Sequence, residues 1–260
     1  MHVQRDAALQ LAHRYLTAGR GWAYPSYDGY AAAHARGPLV DGDLLAPVLL
    51  NVRQLSFTTY EELQEARPRL QSLLDRIPER QSLADAGRDD FELIGELFGV
   101  VDDRAIRGAR GTVISKVLHR KRPDFIPLYD LRVGAVYQHG PDAPVPVVKH
   151  RPWREFAPLF AAAIKADLRR EAEFWGQVSA LASEPAITPL RALDIVAWSV
   201  SPVARGKRTS RKGMAGLGTD APIPPPTPQP DHSTGRAKRA SAVINHSKTK
   251  LSALPVMIGR

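Results

Sequence analysis

Cysteine is absent from all 260 residues. That excludes disulfides, thiolate metal ligands and a cysteine nucleophile together. Its absence fits a reducing compartment, and a cytoplasmic location is expected. Long apolar runs are missing as well. No stretch approaches the roughly 18–20 apolar residues that span a bilayer. The opening MHVQRDAALQLAHRYL mixes charge with apolar residues and lacks a signal-peptide core. No membrane partner is expected. Strand patterning is scarce: PVPVVKH (144–150) is the best of it, and its prolines confine it to an edge or a loop. No histidine pair sits at helical spacing and no His/Glu cluster has ligand spacing, so neither a metal site nor a cofactor is expected. A serine nucleophile would need a sharp strand-to-helix elbow, and none is visible.

Against these absences, 43% of the residues are hydrophobic, enough to build a core. The net charge of +9 resembles a nucleic-acid signal until it is located along the chain. Residues 203–260 hold eleven Lys/Arg against Asp220 and Asp231. The first 202 residues hold 25 basic and 25 acidic groups and are electrically balanced. The whole excess therefore lies in the tail. There, IPPPTPQP (223–230) is polyproline-like and GKRTSRKGMAGLG (206–218) is basic and glycine-rich. Such composition buries too little apolar surface to offset ordering entropy, so 203–260 is expected to be a disordered Pro/Gly-rich basic tail. GMAGLG has no strand before it or helix after it, so it is not a phosphate-binding glycine loop.

Residues 1–202 read as helices, and the fold class is all-α, a multi-helix domain. Val3–Ala18 carries Ala8, Leu11, Ala12, Tyr15 and Leu16 at helical spacing, with Gly19 and Gly21 as its stop. Asp43–Asn51 is short and nearly continuous in apolar character. Thr59-x-x-Glu62 reads as a capping box opening a helix that Pro68 interrupts. Asp90–Val100 places Phe91, Ile94, Leu97 and Phe98 on one face. A long amphipathic helix, kinked at Pro158, spans Pro152 to Ala182. Thr188-Pro189 is a cap followed by proline at the first helical position, opening the Leu190–Val200 stripe. Arg191 and Asp194, three apart, read as a helix-surface ion pair of small worth.

Residues 111–133, GTVISKVLHRKRPDFIPLYDLRV, combine an apolar helical face, a cationic run, two prolines and an isolated carboxylate. Val113, Ile114, Val117 and Leu118 form the stripe, leaving Lys116 and Arg120 one turn apart on another face with His119 beside them. Like charges at that spacing cost a few tenths of a kcal/mol unless an anion or carboxylate offsets them. Pro123 ends the helix. The candidate anion-binding set is Lys116, His119, Arg120 and Arg122, with Asp130 as candidate catalytic residue across the turn. The alternative is structural: cations at a helix C-terminus and a carboxylate at the next N-terminus both favour the macrodipole. Trp22, Tyr24, Tyr27 and Tyr30 cluster on one loop and read as a lid over the core. Tyr27 and Asp28, with Tyr129, are the candidate pocket lining. Asp89-Asp90 and Asp102-Asp103 precede apolar runs and read as helix starts or loops.

Four stretches, YDGY (27–30), DLLAPVLLN (43–51), SKVLHRKRPDFIPLYDLRV (115–133) and RALDIVAW (191–198), resemble a family of uncharacterised bacterial proteins, a domain of unknown function. The resemblance covers about residues 15–200 and brings no activity. A second, partial resemblance is to the helix–hairpin–helix DNA glycosylases. Gly108-Ala-Arg-Gly111, then TVISKVL, then Ile126–Val133 follow that order of hairpin, helix and aspartate-bearing loop. The resemblance implies backbone N–H groups at 108–111 holding a DNA phosphate and Asp130 stabilising charge on a sugar. The hairpin lacks the Leu-Pro-Gly start, and Thr112 stands where the bifunctional enzymes carry lysine. Three functions remain open: an anion-recognising helical domain with nucleic acid as partner, a nucleotide- or base-processing enzyme, and a protein-interaction module.

Overall fold

A computed structural model describes residues 1, 4–19, 22–34, 37–52, 55–140 and 142–201. The tail expected to be disordered lies outside the described residues. Among those described, every regular element is helical and no strand occurs. In chain order the α-helices are α1 (Arg5–Thr17), α2 (Ser26–His34), α3 (Asp41–Leu45), α4 (Phe57–Leu74), α5 (Arg88–Phe98), α6 (Gly111–Lys121), α7 (Leu131–Gln138), α8 (Trp153–Arg170), α9 (Ala172–Ser179) and α10 (Pro189–Val200). Short 3-10 segments cover Ala46–Leu50, Leu83–Asp85 and Gly99–Asp102. The weak strand signal at 144–150 resolves into bends and turns.

Helix starts follow side-chain oxygens. Thr188 caps α10 as its sequence indicates, its hydroxyl accepting the Arg191 N–H at 3.1 Å, with Pro189 at the first position. The start of α4 is different. Ser56, not Thr59, is the cap: Ser56 Oγ accepts the Thr59 N–H at 3.1 Å and the helix begins at Phe57. A serine one turn earlier takes the capping bond, which frees Glu62 for a distant partner. Pro68 lies inside α4 without ending it, as Pro158 does in α8. The long helix expected to reach Ala182 instead breaks at Glu171, and the Trp175 indole N–H donates to the Asp167 carbonyl at 3.1 Å across the break.

The main core is one apolar cluster joining α4, α5, α6, α8 and α10. A ladder of rings, Trp153, Tyr129, Phe156 and Phe160, meets edge to face or stacked at 4.9–5.5 Å. Trp153 also lies flat against the start of α6, where any Cβ at Gly111 would overlap the indole. Glycine at 111 is therefore a packing requirement.

α6 is enclosed on its apolar and polar faces alike; α2, α3, the 46–50 segment and α5 all contact it. The cationic face that the sequence leaves outside is thus inside. Its deepest member, Arg120, is fully buried, with Nη2 2.9 Å from Asp43 Oδ1 and the guanidinium 3.7 Å above the Tyr30 ring. Lys121 Nζ reaches the same carboxylate at 3.3 Å and the Pro38 carbonyl at 3.1 Å. Asp43 is itself wholly buried and also accepts the Val40 N–H at 2.9 Å. One carboxylate thus serves two interior cations. Asp43→Asn removes the carboxylate paired with the buried Arg120, and an expected loss of about 3–5 kcal/mol follows from stranding that interior charge. Chemical denaturation of the variant beside the native chain measures it; Asp41→Asn, on the exposed side of α3, serves as control.

Candidate functional site

The loop from Pro123 to Asp130 turns the chain from α6 into α7. Asp130 is the N-cap of α7: its Oδ1 accepts the N–H groups of Arg132 (2.8 Å) and Val133 (2.9 Å). Ser115 in the middle of α6 fixes the loop's other side, its Oγ accepting the Tyr129 N–H at 3.1 Å. Tyr129 and Asp130 are thereby held beside α6, and Lys116 lies one residue beyond that clamp.

Lys116 and Asp130 both line a cavity of about 1000 Å³. Its walls come from five places: Tyr15 and Trp22 near the N-terminus, Leu50 and Asn51 after α3, Thr112 and Lys116 on α6, Tyr129–Arg132, and Arg191, Asp194 and Trp198 on α10. Tyr15, Trp22 and Trp198 meet edge to face with centroids 5.1–6.2 Å apart, and Arg132 lies 4.1 Å over the Trp198 ring. The lining includes three cations (Lys116, Arg132, Arg191) and two carboxylates (Asp130, Asp194).

The expected four-cation grip is divided. Only Lys116 opens on the cavity; its Nζ donates to the Leu50 carbonyl at 3.1 Å. Burial lowers its pKa, an effect that Asp130 and Asp194 oppose. His119 is buried, its Nδ1 2.7 Å from the Ile126 carbonyl and its ring stacked 6.3 Å from Tyr27. Arg120 belongs to the Asp43 cluster described above. Arg122 caps the end of α4: Nη2 donates to Leu74 O at 3.1 Å, Nε to Ile77 O at 3.0 Å and Nη1 to Lys121 O at 2.8 Å. The reason is the enclosure of α6. A cation on a helix buried all round is directed at whichever acceptor its neighbours present.

Of the three candidate lining residues, Tyr129 faces the cavity, while Tyr27 and Asp28 lie one layer behind it. The Tyr27 hydroxyl donates to the Lys116 carbonyl at 2.8 Å. Asp28 pairs with Arg191, Nε to Oδ1 at 2.7 Å and Nη2 to Oδ2 at 3.2 Å. Tyr24 and Tyr27 are buried in a second apolar cluster with Leu16, Leu128 and Ile195, but Tyr27 and Tyr30 lie on α2 and not on the expected loop.

Arg191 and Asp194 correct the surface-pair reading, since both are buried. Arg191 binds Asp28, Asp194 and the Tyr15 hydroxyl, the last at 3.1 Å. Burial disfavours its charge, but Asp28, Tyr15 and Asp194 outweigh that and hold it cationic. Asp194 goes the other way: burial pushes its carboxyl up to about 6, the Asp130 charge adds to this, and Arg191 and Lys116 oppose it. Helical spacing identified the pair but carried no sign of Asp28, 163 residues away.

The Gly108–Gly111 hairpin does not present a free backbone anion site. The Gly108 N–H donates to Glu62 Oε2 at 2.8 Å. Desolvation is the largest single influence on Glu62 and raises its pKa, but the N–H groups of Gly108, Arg107 and Ala109 and the Arg110 charge together leave it lowered. Thr59 Oγ1 occupies the place of a Cβ at Gly108. Of the acidic pairs, Asp90 accepts the Gly87 N–H at the start of α5 (2.7 Å). Asp102 accepts the Trp153 and Arg154 N–H groups (2.8 and 2.9 Å) at the start of α8. No group of three or more His, Asp or Glu arranged for a metal occurs among the described residues. No helix among them is long and apolar enough to cross a membrane.

The His119 ring beneath this site has a measurable signature. Burial lowers its pKa from 6.5 to about 4, partly opposed by the Ile126 carbonyl. In the unfolded chain the ring takes a proton near pH 6.5, whereas the folded one resists until about pH 4. Stability from the neutral ring is therefore full above pH 6.5 and lost on acidification to pH 4, by about 3 kcal/mol. His119→Gln should flatten that part of the stability–pH curve, measured by urea midpoints between pH 7 and 4.

The chain matches the family of unknown function DUF6308 over residues 8–201 and belongs to it. No curated protein and no solved structure matches it.

Proposed function

We propose that this DUF6308 member is a helical ligand-binding domain. Its cavity takes a planar nitrogenous ring bearing an anionic group, as in a nucleotide. The observation that carries the reading is the convergence of Lys116, Asp130 and Asp194 on one opening walled by Trp22, Trp198 and Tyr129. Aromatic walls offer a base a stacking surface worth about 1–3 kcal/mol. Arg132 and Lys116 supply the cations for a phosphate, and the carboxylates accept N–H groups from the ring edge. Glu62 already holds the hairpin N–H, so anion recognition in this reading rests on the cavity's side chains.

Nucleoside monophosphates and a short oligonucleotide are titrated against the emission of Trp22 and Trp198. A saturable change is expected, abolished by Trp198→Ala and weakened at least tenfold by Asp130→Asn. Asparagine is as good an N-cap as aspartate, so that variant keeps α7 intact. Unchanged emission across the whole set would end this reading.

The two carboxylates favour a second reading, hydrolysis of an N-glycosidic bond in the bound ligand. Asp130 stabilises positive charge on the sugar carbon, and protonated Asp194 donates to the departing base. Water adds its hydroxide to the sugar and returns a proton to Asp194. Pairs of acids driven apart by their surroundings are the usual basis of such division of labour. Base release followed by chromatography should then fall as pH rises through about 6, where Asp194 loses its proton. Asp194→Asn should remove that fall along with the activity. A flat profile in the native chain excludes this role for Asp194.

A further inference from the structure

We propose that a second opening, between residues 101–110 and 150–153, is a binding surface for the phosphodiester chain of nucleic acid. It is a groove of about 620 Å³ lined by Arg104, Arg107, Arg110, His150 and Arg151, with Trp153 among its walls. The groove shares no lining residue with the cavity.

The first observation is local charge. The first 202 residues balance 25 basic against 25 acidic groups, yet four arginines meet in this one groove. The second is that the groove's four arginines outnumber its two acids, and no direct ion pair joins them among the described residues. The two acids of the groove are turned to backbone: Asp102 caps α8, and Asp103 Oδ1 accepts the Ala105 N–H at 3.0 Å. Glu62, against the hairpin, is likewise engaged by Gly108. Among the described residues no carboxylate pairs with Arg104, Arg107, Arg110 or Arg151. Elsewhere in the fold arginines do find carboxylates, as Arg67 does with Asp41 and Arg76 with Glu96.

The third observation is the state of the guanidinium groups. Arg110 is held in place, its Nη1 donating to the carbonyls of Ile106 (2.9 Å) and Ala109 (3.0 Å). Arg151 has an enclosed Nη1 with no acceptor among the described residues. Arg104 and Arg107 are exposed. Four guanidinium groups facing two backbone-bound carboxylates leave the groove net cationic, and the arginine fork matches phosphate oxygens in bidentate geometry. The cations lie on two separate stretches of chain and so flank the groove. That distribution suits successive phosphates of a strand better than one compact anion.

The test is anisotropy of a fluorescein-labelled oligothymidylate with the full chain across a salt series. The basic tail, with its eleven Lys/Arg, is present in every variant and contributes equally. Arg104→Ala/Arg107→Ala should weaken binding, and the slope of log K against log salt should become shallower by about 1.4, about 0.7 for each lost contact to a single strand. Arg69→Ala/Arg80→Ala makes the same charge change at exposed positions elsewhere and should leave the slope as it was. No binding by the native chain, an unchanged slope in the groove variant, or an equal change in the control overturns the proposal. Displacement of the strand by inorganic phosphate at constant ionic strength would show a single-phosphate site and overturn it as well.

Discussion

A helix enclosed by its neighbours must find internal partners for the charges it carries, and α6 is such a helix. Its sequence places three apolar turns beside a run of cations, a pattern that would ordinarily leave one face in water. Here Asp43 from α3, the end of α4 and the Ile126 carbonyl come to meet that run. Asp43 is the indispensable member, because interior cations with no countercharge are among the costliest defects a fold can hold. Satisfying the C-terminal half of α6 in this way leaves Lys116, one turn earlier, at an open edge. The cavity exists because the interior stops there.

This enclosure also decides what was legible in the sequence. All-α character, the presence of α5 and α6, and the Thr188-Pro189 start of α10 were readable, because apolar periodicity and caps act within a few residues. The segment around 111–133 was readable as special for the same reason. What could not be read was direction. Whether Arg122 faces a ligand or the last carbonyls of α4 depends on an element more than forty residues away. Arg191 and Asp194 look like an ordinary surface pair at a spacing of three, and only the arrival of Asp28 makes them interior. Ser56 was overlooked because Thr59-x-x-Glu62 offers a more complete local signature, whereas Glu62 answers to Gly108. For Arg122, Arg191 and Glu62 a long-range partner outranks a local rule.

The two openings differ in kind. The cavity mixes acid, base and aromatic surface, which suits a ligand with a ring and several hydrogen-bonding edges. The groove carries four arginines against two acids, which suits a partner whose charge repeats. They are separated by the start of α6: Arg110 lines the groove and Thr112 lines the cavity. The glycine-rich turn between them owes its glycines to the close approach of Thr59 and Trp153.

Trp153 has a consequence of its own. Its indole borders the groove, rests on Gly111 and touches Tyr129, whose ring borders the cavity, with centroids 4.9 Å apart. Asp102 anchors the backbone of Trp153 from across the chain. A close-packed interior transmits small displacements instead of absorbing them. The same indole walls one opening and backs a wall of the other, so shortening that one side chain would disturb both rooms at once.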